Sequence, residues 1–286
     1  MGKYVNPFTD IGFKRIFGQE ISKPLIIDFL NNLLEGERKI ADLTFLDKEI
    51  PAQTVDGRSL IYDIYCKDEN GDHFIVEMQN KMQPYFKERS IYYVSQAISQ
   101  QGEQGARWQY RIQAVYFVAM LNFTLADIGS TFRTDVALMD MKSKEYFSDK
   151  VRMIFLQLPY FTTEAEACKN DFERWIFVLK HMDTLTRLPW MAQNAVFERL
   201  AQIADISALT KEERLKYDEG IKQYRDAISV YEGAILSGRA EGLKEGLKEG
   251  EARGILSTAR NMKAAGLESG LIAQITGLSA EAIEAL

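Results

Sequence analysis

Asp63, Glu77 and Gln79 are the residues whose types and spacing suit chemistry. They lie within Ser59–Lys81, SLIYDIYCKDENGDHFIVEMQNK, which reads as two strands joined by a tight turn. Leu60, Tyr62, Ile64 and Cys66 alternate with Ile61, Asp63 and Tyr65; Phe74, Val76 and Met78 alternate with His73, Ile75, Glu77 and Gln79. Period-two alternation marks a strand, and Asp-Glu-Asn-Gly-Asp between two such runs marks a hairpin. If the apolar sides face one core, Ile64 falls opposite Val76 and Asp63 opposite Glu77. A two-residue Asn70-Gly71 loop would slip the register by one and mix the faces, which a half-buried sheet resists. The favoured register calls for the loop Glu69-Asn70-Gly71, with Gly71 left-handed. Asp63 and Glu77 then face each other about 5 Å apart at Cβ, with Gln79 beside them.

Two carboxylates held so close repel unless a cation sits between them. Oxygen ligands without Cys or His suit a hard ion, Mg²⁺ or Mn²⁺, which activates water and stabilises charge on a phosphate in transfer. The same spacing also suits a solvated sheet face carrying ordinary acids. Tyr65 and Ile75 make this face less solvent-like than that.

Asp63, a hairpin and then Glu77-Met78-Gln79 resemble the Asp…(Asp/Glu)-x-Lys signature of the PD-(D/E)XK nuclease superfamily. In particular the chain is similar to the bacterial recombination-promoting nucleases (Rpn), or PD-(D/E)XK nuclease family transposases, which carry Glu-x-Gln. The resemblance extends to Asn6-Pro7-Phe8-Thr9-Asp10-Ile11-Gly12-Phe13-Lys14-Arg15-Ile16-Phe17-Gly18, to Arg89-Ser90-Ile91-Tyr92-Tyr93 and to the glycine-spaced tail. It implies an α/β fold with an αβββαβ core and a mixed sheet, and a metal-dependent DNA endonuclease with a role in recombination, mobility or defence. Asp63 and Glu77 would hold Mg²⁺ or Mn²⁺ with the main-chain carbonyl of Met78. Gln79 would stand where most relatives have Lys, orienting water without supplying charge; Lys14 or Lys81 would supply it instead. Lys14 and Arg89 are the expected substrate contacts.

The chain has 286 residues, 46% of them hydrophobic, enough to bury a core. Its net charge of −6 and pI near 5.2 confine any nucleic-acid surface to a local patch. Cys66 and Cys168 are far apart, and His73 and His181 are the only histidines. These numbers argue against a His/Cys metal site and for reduced thiols in a cytoplasmic protein. No apolar run reaches the length of a membrane span, and the opening MGKYVNPFTD has no signal-peptide core.

Residues 9–18 read as a helix capped by Thr9, with Asp10 and Lys14 four apart. A second helix starts at Ser22 and Pro24, buries Leu25, Ile26, Phe29, Leu30, Leu33 and Leu34, and ends at Gly36. Glu20 and Asp28 are acids on or near it that nothing in the spacing singles out. Residues 42–54 read as a first strand, with Pro51 marking an edge or bulge. In the helix predicted over 84–105, Arg89, Tyr92, Tyr93, Gln96 and Gln100 recur along one side. Residues 113–123 read as a strand buried on both faces. Residues 133–140 and 151–158 are weaker strands around a polar connection, KSKEYFSDK. Helices are expected over 164–182, 190–206 and 211–235.

Gly238, Gly242, Gly246, Gly250 and Gly254 then recur every four residues. Interior glycine costs a helix about 1 kcal/mol, so a partly frayed helical linker is expected, with self-association through the glycines as the alternative. Residues 255–286 read as a small helical unit in which Ser279 caps the last helix. That helix carries Glu281 and Glu284 and no basic residue, which suits oligomerisation or docking better than DNA reading. The expected division is a nuclease-like core over 1–160, a helical subdomain over 161–235, and a linker with a helical unit over 236–286. Two functions compete. One is a metal-dependent endonuclease acting on DNA. The other is a weak or inactive module that binds DNA or protein and assembles through 236–286. A P-loop or dinucleotide-binding enzyme has no support.

Overall fold

The computed structural model describes residues 2–50, 60–102 and 109–286. Two compact units form, residues 1–225 and 226–286.

The first unit is a sheet with helices on both faces. Helix α1 (Asp10–Phe17) starts at Thr9, whose Oγ1 accepts the Gly12 N–H at 3.1 Å. Helix α2 (Lys23–Leu33) carries Pro24 in its first turn and buries Leu25, Ile26, Phe29, Leu30 and Leu33. The expected strand over 42–54 is broken. Strand β1 is Leu43–Phe45 and β2 is Glu49–Ile50, separated by a turn in which Asp47 Oδ1 accepts the Glu49 N–H at 3.0 Å. Pro51 and the rest of that expected strand lie outside the described residues. Among the described residues β2 pairs only with β3 (Leu60–Ile61).

Strands β4 (Ile64–Asp68) and β5 (His73–Gln79) make the hairpin in the register that apolar alternation favours, with Ile64 opposite Val76 and Cys66 opposite Phe74. Gly71 lies at φ +85°, and the Asp68 N–H donates to Asp72 O at 2.9 Å across the loop. Helix α3 (Phe86–Ser99) follows, then β6 (Val115–Leu121), β7 (Arg133–Met139) and β8 (Tyr146–Gln157). The sheet order is β1-β4-β5-β6-β8-β7, with β5, β6 and β8 parallel and the other pairings antiparallel. This is the mixed α/β sheet that the sequence implied. The polar stretch KSKEYFSDK is not all connection: β8 begins at Tyr146 and pairs with β7 through register shifts after Ala137. Main-chain pairing holds this edge while Tyr146 and Phe147 stay exposed.

One sheet face packs on α1, α2, α4 (Asp171–His181) and α5 (Ala195–Ala204), around Phe17, Phe29, Trp175 and Phe197. The rings of Phe17 and Phe29 lie 5.6 and 5.9 Å from that of Trp175, so truncating Trp175 would cost about 3–5 kcal/mol. The other face packs on α3 through Tyr62, Tyr65, Ile75, Phe86, Tyr93 and Phe117. Helices on both faces explain why β6 is buried throughout its centre.

Helix α6 spans Lys211–Ala264. The glycine-spaced segment is therefore helical throughout. Strong helix formers, Leu, Lys, Glu and Ala, fill the intervals between glycines. In the second unit, α7 (Ser269–Thr276) and α8 (Ala280–Glu284) fold back so that Ala259, Ile272 and Ile283 form a small core. Ser279 caps α8 by accepting the Ala282 N–H at 3.2 Å. Lys263 Nζ donates to the Ile283 and Glu284 carbonyls at 2.8 Å each, where a cation complements a helix C-terminus.

Candidate active site

The hairpin brings Asp63 and Glu77 together at the C-terminal end of β5. Asp63 lies in a bend one residue before β4, so the Ile64–Val76 pairing carries it across from Glu77. Three hydrogen bonds lock the arrangement. The Asp63 N–H donates to Glu77 Oε1 at 3.1 Å, the Met78 N–H donates to Asp63 Oδ2 at 2.9 Å, and Gln79 Nε2 donates to Glu77 Oε2 at 3.0 Å. Gln79 in turn accepts from Gln83 Nε2 at 3.4 Å. Glu77 and Gln79 are buried.

Burial and then the charge of Asp63 push the Glu77 carboxyl up to about 8, against the opposing pull of the Asp63 N–H, Arg89 and Gln79. Burial also raises the Asp63 carboxyl, partly offset by the Met78 N–H and by Lys14. Two acids in this condition call for positive charge. Arg89 on α3 supplies some: its Nη2 lies 3.6 Å from Glu77 Oε2, and its guanidinium lies 5.0 Å from the centre of the Tyr93 ring. Arg89 also donates to Gln83 Oε1. Tyr93 is buried beneath it while Tyr92 is exposed, so only one of the two tyrosines on this helix borders the site.

Helix α1 approaches the pair from the opposite side. Lys14 forms an ion pair with Asp10 one turn earlier. Burial lowers the Lys14 pKa, but the Asp10 hydrogen bond and charge outweigh it, with contributions from Lys48 and Asp63, and the net shift is upward. Lys48, just before β2, is lowered by burial and by the neighbouring Lys14 charge. Lys48 is thus a member of this neighbourhood that the sequence reading did not name, and Asp10 one that it named only as the partner of Lys14. Asp10 had a signal, being on the same helical face as Lys14. Lys48 had none, because the turn between β1 and β2 positions it. Lys81 is exposed just past the end of β5. Of the other acids near α2, Asp28 accepts from Trp175 Nε1 at 2.7 Å and Glu20 pairs with Lys23 at 3.4 Å, both apart from the carboxylate pair.

The donor set fits a hard divalent cation. It offers two carboxylates in close opposition and no sulfur or imidazole, and burial raises the cost of keeping both charged without a metal. Among the described residues no group of three or more His, Cys, Asp or Glu side chains is gathered as a cage. Magnesium needs no such cage, since it commonly retains waters and takes one or two carboxylates plus substrate phosphate.

Among the described residues no helix is long and apolar enough to cross a membrane. Searches of curated proteins and of solved structures find no match. Residues 7–234 match the family model described as PD-(D/E)XK nuclease family transposase. That span takes in the mixed sheet, the opposed carboxylates, Lys14 and Arg89, and it covers well over half of the sequence: the chain belongs to the PD-(D/E)XK nuclease family transposases.

Proposed function

We propose that the chain is a metal-dependent DNA endonuclease whose Asp63 and Glu77 hold Mg²⁺ or Mn²⁺, with the Met78 carbonyl beside them. Membership in a nuclease family supports hydrolysis of nucleic acid. The observation that carries the finer reading is the buried pair, Asp63 hydrogen-bonded to Glu77 and Glu77 raised to about 8. When bound, such an ion lowers the pKa of a coordinated water and neutralises charge on the phosphate.

The side chains around the pair divide the remaining work. Gln79 is fixed on Glu77 and offers an amide to orient water, but it brings no charge. Lys14 and Lys48 border Asp63 on the α1 side and supply the cationic groups that a Lys at position 79 would otherwise bring. Arg89 is poised to leave Glu77 for a substrate phosphate, a bidentate partner better suited to its guanidinium. A cytoplasmic location and a role in recombination or DNA mobility belong to the same reading. So does self-association through residues 236–286, supported by the exposure of Leu236, Leu243 and Leu247 on α6.

One observation favours a second reading, a DNA- or protein-binding module without turnover: the Gln79 amide occupies Glu77 Oε2 and brings no positive charge to the pair. Incubation of circular DNA with the purified full chain separates the two. The nuclease reading expects nicking or linearisation that needs Mg²⁺ or Mn²⁺, is stopped by EDTA, and falls at least about 100-fold in Glu77→Ala. Absence of cutting, or cutting that survives Glu77→Ala, supports the binding module.

A further inference from the structure

A second polar cleft lies on the sheet face that carries Glu77, at the other end of β5. His73 is four residues from Glu77 on the same side of the strand, about 13 Å away. The cleft has a volume of about 780 Å³. It is lined by Tyr65, Lys67 and His73 of the hairpin, by Gln100 at the end of α3, and by Arg111 and Gln113 on the segment entering β6.

Three features distinguish it from an ordinary surface depression. First, Lys67 and Arg111 bring two cationic side chains to one lining, and neither has an ion-pair partner among the described residues. Among the described residues the one carboxylate in the lining, Asp47, is turned to the Glu49 N–H. Second, the Tyr65 and His73 rings stack with centroids 5.4 Å apart, and the Tyr65 hydroxyl is 2.6 Å from His73 Nδ1. This bond fixes the imidazole and leaves Nε2 as its remaining polar edge. Third, the side-chain amides of Gln100 and Gln113 each offer both a donor and an acceptor, the complement that reads base edges. A polar stripe joins this cleft to the carboxylates. Arg89, Tyr93, Gln96 and Gln100 recur at intervals of four, three and four along α3, hence on one side of the helix.

We propose that this cleft binds a nucleotide, its phosphate on Lys67 and Arg111 and its base against the Tyr65–His73 pair and the glutamine amides. The volume lies within the range of small-molecule sites and exceeds what a single phosphate needs. A nucleotide there is either part of the strand that reaches the carboxylates or a free mononucleotide. The strand is favoured by the α3 stripe and by the spacing, about four stacked nucleotides at about 3.4 Å each; this preference rests on the nuclease reading, whereas the nucleotide chemistry does not.

The test is binding by the full chain in EDTA, so that loss of cleavage and loss of binding are read separately. A labelled oligothymidylate is followed by anisotropy and deoxyadenosine monophosphate by calorimetry, for wild type, Lys67→Gln and Arg111→Gln. Both substitutions are at exposed positions, and melting curves check that the variants fold. Each variant is expected to weaken the oligonucleotide about 10-fold and to lower the slope of log K against log salt by about 0.7. Unchanged oligonucleotide affinity with lost mononucleotide binding would support the nucleotide site and assign it to free nucleotide. Unchanged affinity for both ligands in folded variants would overturn the proposal.

Discussion

Glu77 has 1% of its surface exposed, and its carboxyl is raised to about 8 by burial first and by Asp63 second. The unfolded chain releases that proton near 4.5, the ordinary value. Between about pH 4.5 and pH 8 the folded protein therefore binds more protons than the unfolded one, and its stability falls as pH rises across that window. Asp63, raised in the same direction, adds to the fall. In EDTA, Glu77→Gln is expected to be more stable than wild type by about 2 kcal/mol at pH 8 and to converge with it near pH 5. That figure is kept below the full shift at about 1.4 kcal/mol per pH unit, because a buried acid beside Arg89 relaxes in part. Urea titrations at the two pH values measure it; a wild type that is equally stable at both would contradict the ionisation argued for Glu77. The pairing of Asp63 with Glu77 was legible in the sequence because alternation and turn chemistry allow one register that keeps the faces unmixed. The cationic side of the site was only half legible. Lys14 stood in a helical segment with a clear cap, whereas Lys48 reaches the site through a turn that no periodicity announces.

At the scale of elements, the hairpin positions the carboxylates and the two flanking helices supply charge. Arg89 comes from α3 and Lys14 from α1, so the C-terminal end of β5 is where a substrate would meet both. The strands that periodicity missed or misplaced are those whose pairing is governed by neighbours. Strand β8 starts within a polar stretch because β7 offers it a main-chain partner, and the strand expected over 42–54 breaks because Asp47 captures a backbone N–H. The glycine-rich part of α6 is helix, as the helix formers between its glycines favour. A Cβ added at Gly242, Gly246 or Gly250 meets nothing within 4 Å. Alanine at each position is accordingly expected to stabilise this stretch by about 0.5–1 kcal/mol. Slower amide hydrogen exchange between residues 238 and 254 in the triple variant would register the gain. Unchanged or faster exchange would show that the glycines are held by contacts beyond a single chain.

For the whole molecule, an acidic chain must gather its positive charge locally to handle an acidic polymer. Lys14, Lys48 and Arg89 gather around the carboxylates, and Lys67 and Arg111 around the second cleft. The net charge of −6 leaves no general attraction to nucleic acid, so the proposed binding would depend on those two places and weaken with salt. The family match over residues 7–234 and the mixed sheet agree with the architecture that the motif order implied. The second unit, residues 226–286, builds its own small core and contributes no residue to the carboxylate pair.

The central claim is that Asp63 and Glu77 are a divalent-cation site. Titration of the full chain with Mn²⁺ at neutral pH, with free Mn²⁺ followed by electron paramagnetic resonance, tests it without relying on turnover. The account predicts that wild type depletes the free-ion signal and that Asp63→Asn and Glu77→Gln each lose that binding while remaining folded. Equal Mn²⁺ binding by wild type and both variants, or none by wild type, would contradict it.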